Sequence, residues 1–174
     1  RKILQRLRPE DGVLGEEFKP LKSKSGLTWV LDPIDGTRGF ISGTPTWGVL
    51  IAVSDADGPI LGIIDQPYIQ ERFVGGLGVA SFSGPHGAKQ LATRSNISLA
   101  EATLLTTFPE IGDKKDLLGF QAVTDQVNLV RYGLDCYAYA LLAAGHIDLV
   151  IEAKLNPFDI QAPIAVIEAA GGCV

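Results

Sequence analysis

Apolar residues in the first half of the chain fall in short runs or alternate with polar ones, and turn-forming clusters punctuate them. "LTWVLD", "WGVLIAV", "ILGIIDQP", "ERFVG" and "GVASFS" read as strands, with "SDADGP", "QPYIQ" and "SGPHGAK" as the hairpin turns between them. A charged helical pattern over residues 1–7 precedes them, stopped by Pro9 and the "EDG" turn. The first half is therefore expected to be an antiparallel, strand-rich unit. From "ATLLTTF" onward the pattern alternates between strand and helix, with helices predicted at 114–126, 135–144 and 157–169 and a strand "IDLVIEA" before the last. Such alternation predicts an α/β layer packed beside the α+β layer, divided as residues 1–98 and 99–174 and sharing a broad interface.

Composition narrows the class. A chain of 174 residues, 46% hydrophobic and 20% charged, can bury a sizeable core. With 20 acidic against 15 basic residues and no Lys/Arg stripe, nucleic acid is a poor partner. No apolar run approaches the ~18 residues that cross a bilayer, so no membrane partner is expected. Cys136 and Cys173 lack metal-site spacing and read as buried thiols of a reducing, cytoplasmic compartment. The chain holds no methionine, opens inside a helical pattern and stops after "AAGGCV", as an interior stretch of a longer protein would.

"WVLDPIDGTRGF" (29–40) poses the chemical question, because Asp32 and Asp35 repel each other at the end of a strand. A hard divalent cation such as Mg²⁺ or Mn²⁺ would remove the conflict; alternatively both acids cap a turn. Gly36 allows close backbone approach to a phosphate, and Thr37 adds a hydroxyl, so acids, amides and a hydroxyl combine as in a metal-dependent phosphate site. The haloacid-dehalogenase turn, D-x-D-G-T, differs from the D-x-x-D spacing here, which inserts a residue and changes the acids' relative orientation.

Three motifs together resemble the inositol monophosphatase-like, Mg²⁺-dependent phosphatases: "LGEEF" (14–18), "WVLDPIDGTRGF" and "PFDIQAPIAVIEAAGG" (157–172). The resemblance implies a layered αβαβα sandwich, here truncated at both ends, a homodimer, and two or three Mg²⁺ per site with Mn²⁺ as a substitute. It implies Glu16, Asp32 and the Ile34 carbonyl as ligands of one metal, and Asp32, Asp35 and Asp159 as ligands of another. By the same resemblance Glu16 and Thr37 polarise the attacking water, with Asp35 beside them in the catalytic set, and the Gly36 and Thr37 amides take phosphate oxygens. Local physics offers other roles: Glu16 and Glu17 could be a solvated turn, and Asp159 a first-turn acid behind Asn156 and Pro157. Phe158 stands where the family usually has Trp, and Pro163 removes an amide donor from the same helix.

Within the family, "DGTRGFISGTPTWG" and "RYGLDCYAYALLAAGHIDLVIEA" resemble the histidinol-phosphate phosphatases. The implied reaction is L-histidinol phosphate to L-histidinol and phosphate, with Arg38, Asp135 and Glu152 at the substrate rim. Two carboxylates there would suit a cationic substrate end. Asp135 could equally cap the helix that follows it, Glu152 could be a surface acid, and Arg38 could merely answer the acids around it. Inositol or another sugar phosphate is the alternative substrate, and an inactive phosphate- or metal-binding fragment the alternative class. His86 and His146 have no partner that suggests catalysis.

Overall fold

The computed structural model describes residues 1–174. Helix α1 (Lys2–Leu7) leads into β1 (Gly12–Gly15), β2 (Thr28–Asp35), a short α2 (Thr37–Ile41), β3 (Gly48–Ser54), β4 (Pro59–Gln66), β5 (Glu71–Gly76), β6 (Val79–Gly84) and β7 (Gly87–Gln90). These strands form one sheet in the order β1-β2-β3-β4-β5-β6-β7. After a 3-10 turn come β8 (Thr103–Thr106), α3 (Lys114–Thr124), β9 (Leu129–Tyr132), α4 (Cys136–Ala143), β10 (Leu149–Val150) and α5 (Pro157–Ala169). The second sheet is parallel, ordered β10-β8-β9.

The layers follow from which faces are apolar. Alternate residues of the large sheet (Val30, Leu50, Ala52, Ile64, Phe73) point inward onto α4 and α5, which meet them with Cys136, Tyr139, Ala140, Ala143, Ala162 and Val166. Helix α4 turns Ala138 to the small sheet, beside Leu105 and Ile147. On that sheet's other face Phe120 of α3 packs with Leu104 and Ile111. The order is thus α3, small sheet, α4 with α5, large sheet. Helix α1 buries no residue.

Several local expectations change. Strand β1 pairs parallel with β2, so the large sheet is mixed. "GAKQ" is an edge strand, all four residues exposed, where a turn is expected; an exposed edge needs no alternation. Strand β10 spans two residues, because the Glu152 side chain takes the Thr107 amide that a longer ladder would give to a backbone carbonyl. Cys136 is buried but Cys173 is exposed near the last residue. Helix α5 runs through Pro163, which is buried.

Candidate active site

Side chains in a strand alternate faces, so acids three positions apart should point to opposite sides. Strand β2 avoids this with a bulge. Asp32 pairs with Leu50 and Asp35 with Gly48, so one extra residue on β2 restores the second acid to the first one's side. Pro33, which has no amide hydrogen, sits at the interruption, where no ladder bond is lost. The strand therefore runs to Asp35 instead of ending at Asp32. Next, Gly36 takes a left-handed φ of 79° and starts α2. A Cβ there would lie 2.9 Å from the Asp135 carboxyl carbon, so any side chain at this position would also have to displace that carboxylate.

The third acid arrives from the other end of the sequence. Asn156 is extended, Pro157 opens α5, and Asp159 Oδ2 accepts the Asn156 amide at 2.7 Å. That capping bond occupies one oxygen and leaves the other carboxylate oxygen for the pocket. One oxygen from each of Asp32, Asp35 and Asp159 lies within 4.8 Å of the others. Asp35 Oδ2 also accepts the Cys136 amide at 2.7 Å, which ties β2 to the start of α4. Asp32 Oδ1 accepts the Ile34 amide, and the Thr37 hydroxyl donates to the Ile34 carbonyl.

The cluster lies in a cavity of about 460 Å³ lined by Glu16, Asp32, Asp35, Asp135, Glu152 and Asp159, with Arg38 as its one cation. Asp32 is 3% exposed. Burial, reinforced by Asp35 and Glu16, lifts its pKa from 3.8 to about 7. Burial also lifts Asp35 to about 6, against the opposing pull of its bonds to Cys136. Neither acid, nor Asp159, has an ion-pair partner. Buried at Asp32 and half-buried at Asp35 and Asp159, oxygen-only and mutually repelling, these groups fit a hard divalent cation.

The remaining expected residues occupy the rim. Glu16 follows β1, exposed, outside the three-acid cluster. Asp135 stands at the N-terminal boundary of α4 but makes no capping bond, at an unusual φ of 47°. Its carboxylate lies against Gly36 instead, and burial raises its pKa. Burial raises Glu152 as well, although the Thr107 amide and hydroxyl donate to its Oε1 at 2.6 and 2.7 Å. Glu152 thus braces the loop after β8, a role beyond the substrate contact expected of it. Thr107, Phe108 and Leu155 also line the cavity and were not anticipated. The only hint is "TTF" at a strand's end, where loops carry function.

Site and fold define a class. Residues 1–174 match the profile of the Inositol monophosphatase family, and the chain belongs to that family. More particularly, it is 43% identical over 99% of its length to "Bifunctional phosphatase IMPL2, chloroplastic" of Arabidopsis thaliana, of which it covers 49%. It is 35% identical over 99% of its length to a histidinol-phosphatase of Mycobacterium tuberculosis, covering 67% of that protein. Its fold resembles, with TM-score 0.90 and 42% identity, a solved inositol monophosphatase of Zymomonas mobilis, over 99% of this chain and 66% of that one. The chain therefore spans about half to about two thirds of the length of these relatives.

A stability test follows from the charges. A carboxyl whose folded pKa lies above its unfolded value stabilises the fold below the unfolded pKa, and that stability is lost as pH rises through the folded one. The metal-free protein should therefore weaken between the carboxyls' ordinary value of 3.8 and the folded values of about 6 and about 7. Mg²⁺ or Mn²⁺ binds the charged forms, so it should raise Tm more at about pH 8 than at about pH 5. Differential scanning fluorimetry measures this, and a Tm indifferent to either ion at both values would contradict a cation site.

Proposed function

We propose that the chain carries the active site of a Mg²⁺-dependent phosphomonoesterase acting on L-histidinol phosphate, in the cytoplasm and as a homodimer. The convergence of Asp32, Asp35 and Asp159 supports the assignment, in a chain of this family. No helix is long and apolar enough to cross a membrane. We take residues 1–98 to supply most of the ligands and residues 99–174 to supply Asp159 and the rim.

Asp32, Asp35, Asp159, Glu16 and the Ile34 carbonyl would hold the cations. Divalent ions bound there supply Lewis acidity toward phosphoryl oxygens and an activated water. Glu16, exposed at the rim, and the Thr37 hydroxyl, placed by its bond to Ile34, would polarise that water. The amides of Gly36 and Thr37, at the left-handed turn, would take phosphate oxygens. Asp135 and Glu152, both lining the cavity, would offer two carboxylates to the ammonium or imidazole of histidinol. The Arabidopsis relative is chloroplastic by name, a description of that protein.

Parallel assays on L-histidinol phosphate and inositol 1-phosphate, with Mg²⁺ and with EDTA, test the assignment. EDTA-sensitive turnover that favours histidinol phosphate is expected. The Zymomonas likeness favours inositol phosphate as the second reading, and faster turnover of that ester would establish it. Binding of phosphate without any turnover would indicate a non-enzymatic module. Asp135→Ala should weaken histidinol phosphate by about 1.5–3 kcal/mol, the worth of a charged hydrogen bond. The comparison is with p-nitrophenyl phosphate, and an equal loss on both would deny Asp135 a part in selection.

A further inference from the structure

Arg38 is the only cation of a cavity with six carboxylates, yet it pairs with none. The nearest candidate is Asp135. Its carboxylate lies against Gly36 and Gly39, on either side of Thr37 and Arg38: a Cβ on Gly36 would be 2.9 Å from Asp135 Oδ2, and one on Gly39 3.4 Å. Arg38 and Asp135 are close enough for the cation's charge to oppose the rise in the acid's pKa. Instead, the guanidinium lies over the Phe108 ring, 4.8 Å from its centroid. Guanidinium groups stack well on aromatic faces, and such a contact competes with an exposed ion pair of similar strength.

Phe108 can do this because its backbone is held. The Glu152 carboxylate receives both donors of Thr107, and the Thr106 hydroxyl donates to the Phe108 carbonyl at 3.4 Å. Phe108 remains 41% exposed at the cavity mouth, although a phenyl ring gains more from burial in a core. We propose that Phe108 is a positioning residue for specificity: it holds Arg38 on its ring, away from Asp135, and so keeps Asp135 open to the cationic end of the leaving alcohol. This rests on the histidinol phosphate assignment and assigns selectivity to a residue outside the three motifs.

In Phe108→Ala and Phe108→Leu, Arg38 is expected to fall onto Asp135. KM for histidinol phosphate should then rise about tenfold, with the loss in KM rather than kcat, and less for p-nitrophenyl phosphate. Phe108→Tyr, which keeps the ring face, should restore KM. Because Phe108 acts through Arg38, removing the ring should have little further effect on KM in an Arg38→Gln background. A rise of equal size in both backgrounds, a leucine variant like wild type, or a tyrosine variant as weak as alanine would overturn the inference. A crystal structure of Phe108→Leu judges it without any substrate: Arg38 against Asp135 supports it, and Arg38 still unpaired overturns it. Preference of the wild type for inositol phosphate would instead defeat the substrate assignment, leaving that structural result to decide on Phe108.

Discussion

Replacing Asp32 by Asn is expected to lower Mg²⁺-dependent turnover about a thousandfold or more while leaving the protein folded, and in metal-free buffer more stable than wild type. The substitution is isosteric, and its carbonyl oxygen can still accept the Ile34 amide that Asp32 Oδ1 accepts. What disappears is a charge that is 3% exposed, faces Asp35 and has no cationic neighbour. Wild-type Asp32, with its pKa lifted to about 7, is neutral in acid and resembles asparagine there. The Tm advantage of Asp32→Asn should therefore vanish near pH 4 and grow toward pH 8. Addition of Mg²⁺ should then reverse the ranking, since only the wild type retains the full ligand set. Near-normal turnover in Asp32→Asn, or a Tm difference independent of pH, would contradict the site.

The second large effect is on stability, far from any acid. Helix α5 crosses the large sheet at Gly62 and Gly75, where its backbone approaches too closely for a side chain. A Cβ on Gly75 would sit 2.6 Å from the Ala165 carbonyl oxygen and collide with the Cα of Val166; one on Gly62 would collide with the Ala162 carbonyl. Backbone atoms cannot rotate aside, so the helix itself must lift. Gly75→Ala should cost about 3 kcal/mol or more, or a fall in Tm of about 10 °C, by thermal denaturation. Gly78→Ala is the control for a glycine with no neighbour within 4 Å, where only the left-handed φ of 79° is strained. Loss of equal size in both would point to conformational strain, not to packing.

How much of this was legible in the letters depends on what each element relies upon. Helix α5 carries its own start signal in Asn156 and Pro157 and emerges with the expected bounds, 157–169. Strands β3 to β6 are bounded by Asp, Gly and Pro turns and likewise appear where expected. Strand β1, "GVLG", is too short to show a period, and β7 has no apolar face at all. Helix α2 is five residues long and follows a glycine, a context that reads as a turn.

The site divides in the same way. Asp32, Asp35 and Asp159 were named from motifs, and the structure brings those three together. The bulge that turns Asp35 toward Asp32 is a property of pairing with β3, which no local pattern encodes. Nor does any letter reveal the Cys136 amide on Asp35, because every residue except proline has one. Phe108 and Thr107 acquire meaning only through Arg38 and Glu152, which are distant in sequence.

The bond between Asp35 and Cys136 spans 101 positions along the chain, and Asp159 lies farther on still. The hairpins of the large sheet, by contrast, join neighbours and can zip as soon as they leave the ribosome. Their inner face must then wait, oily and uncovered, until α5 has been synthesised. Substitutions that slow the docking of α5 should reveal themselves first as inclusion bodies and as dependence on chaperones, before any change in the chemistry of the mature protein.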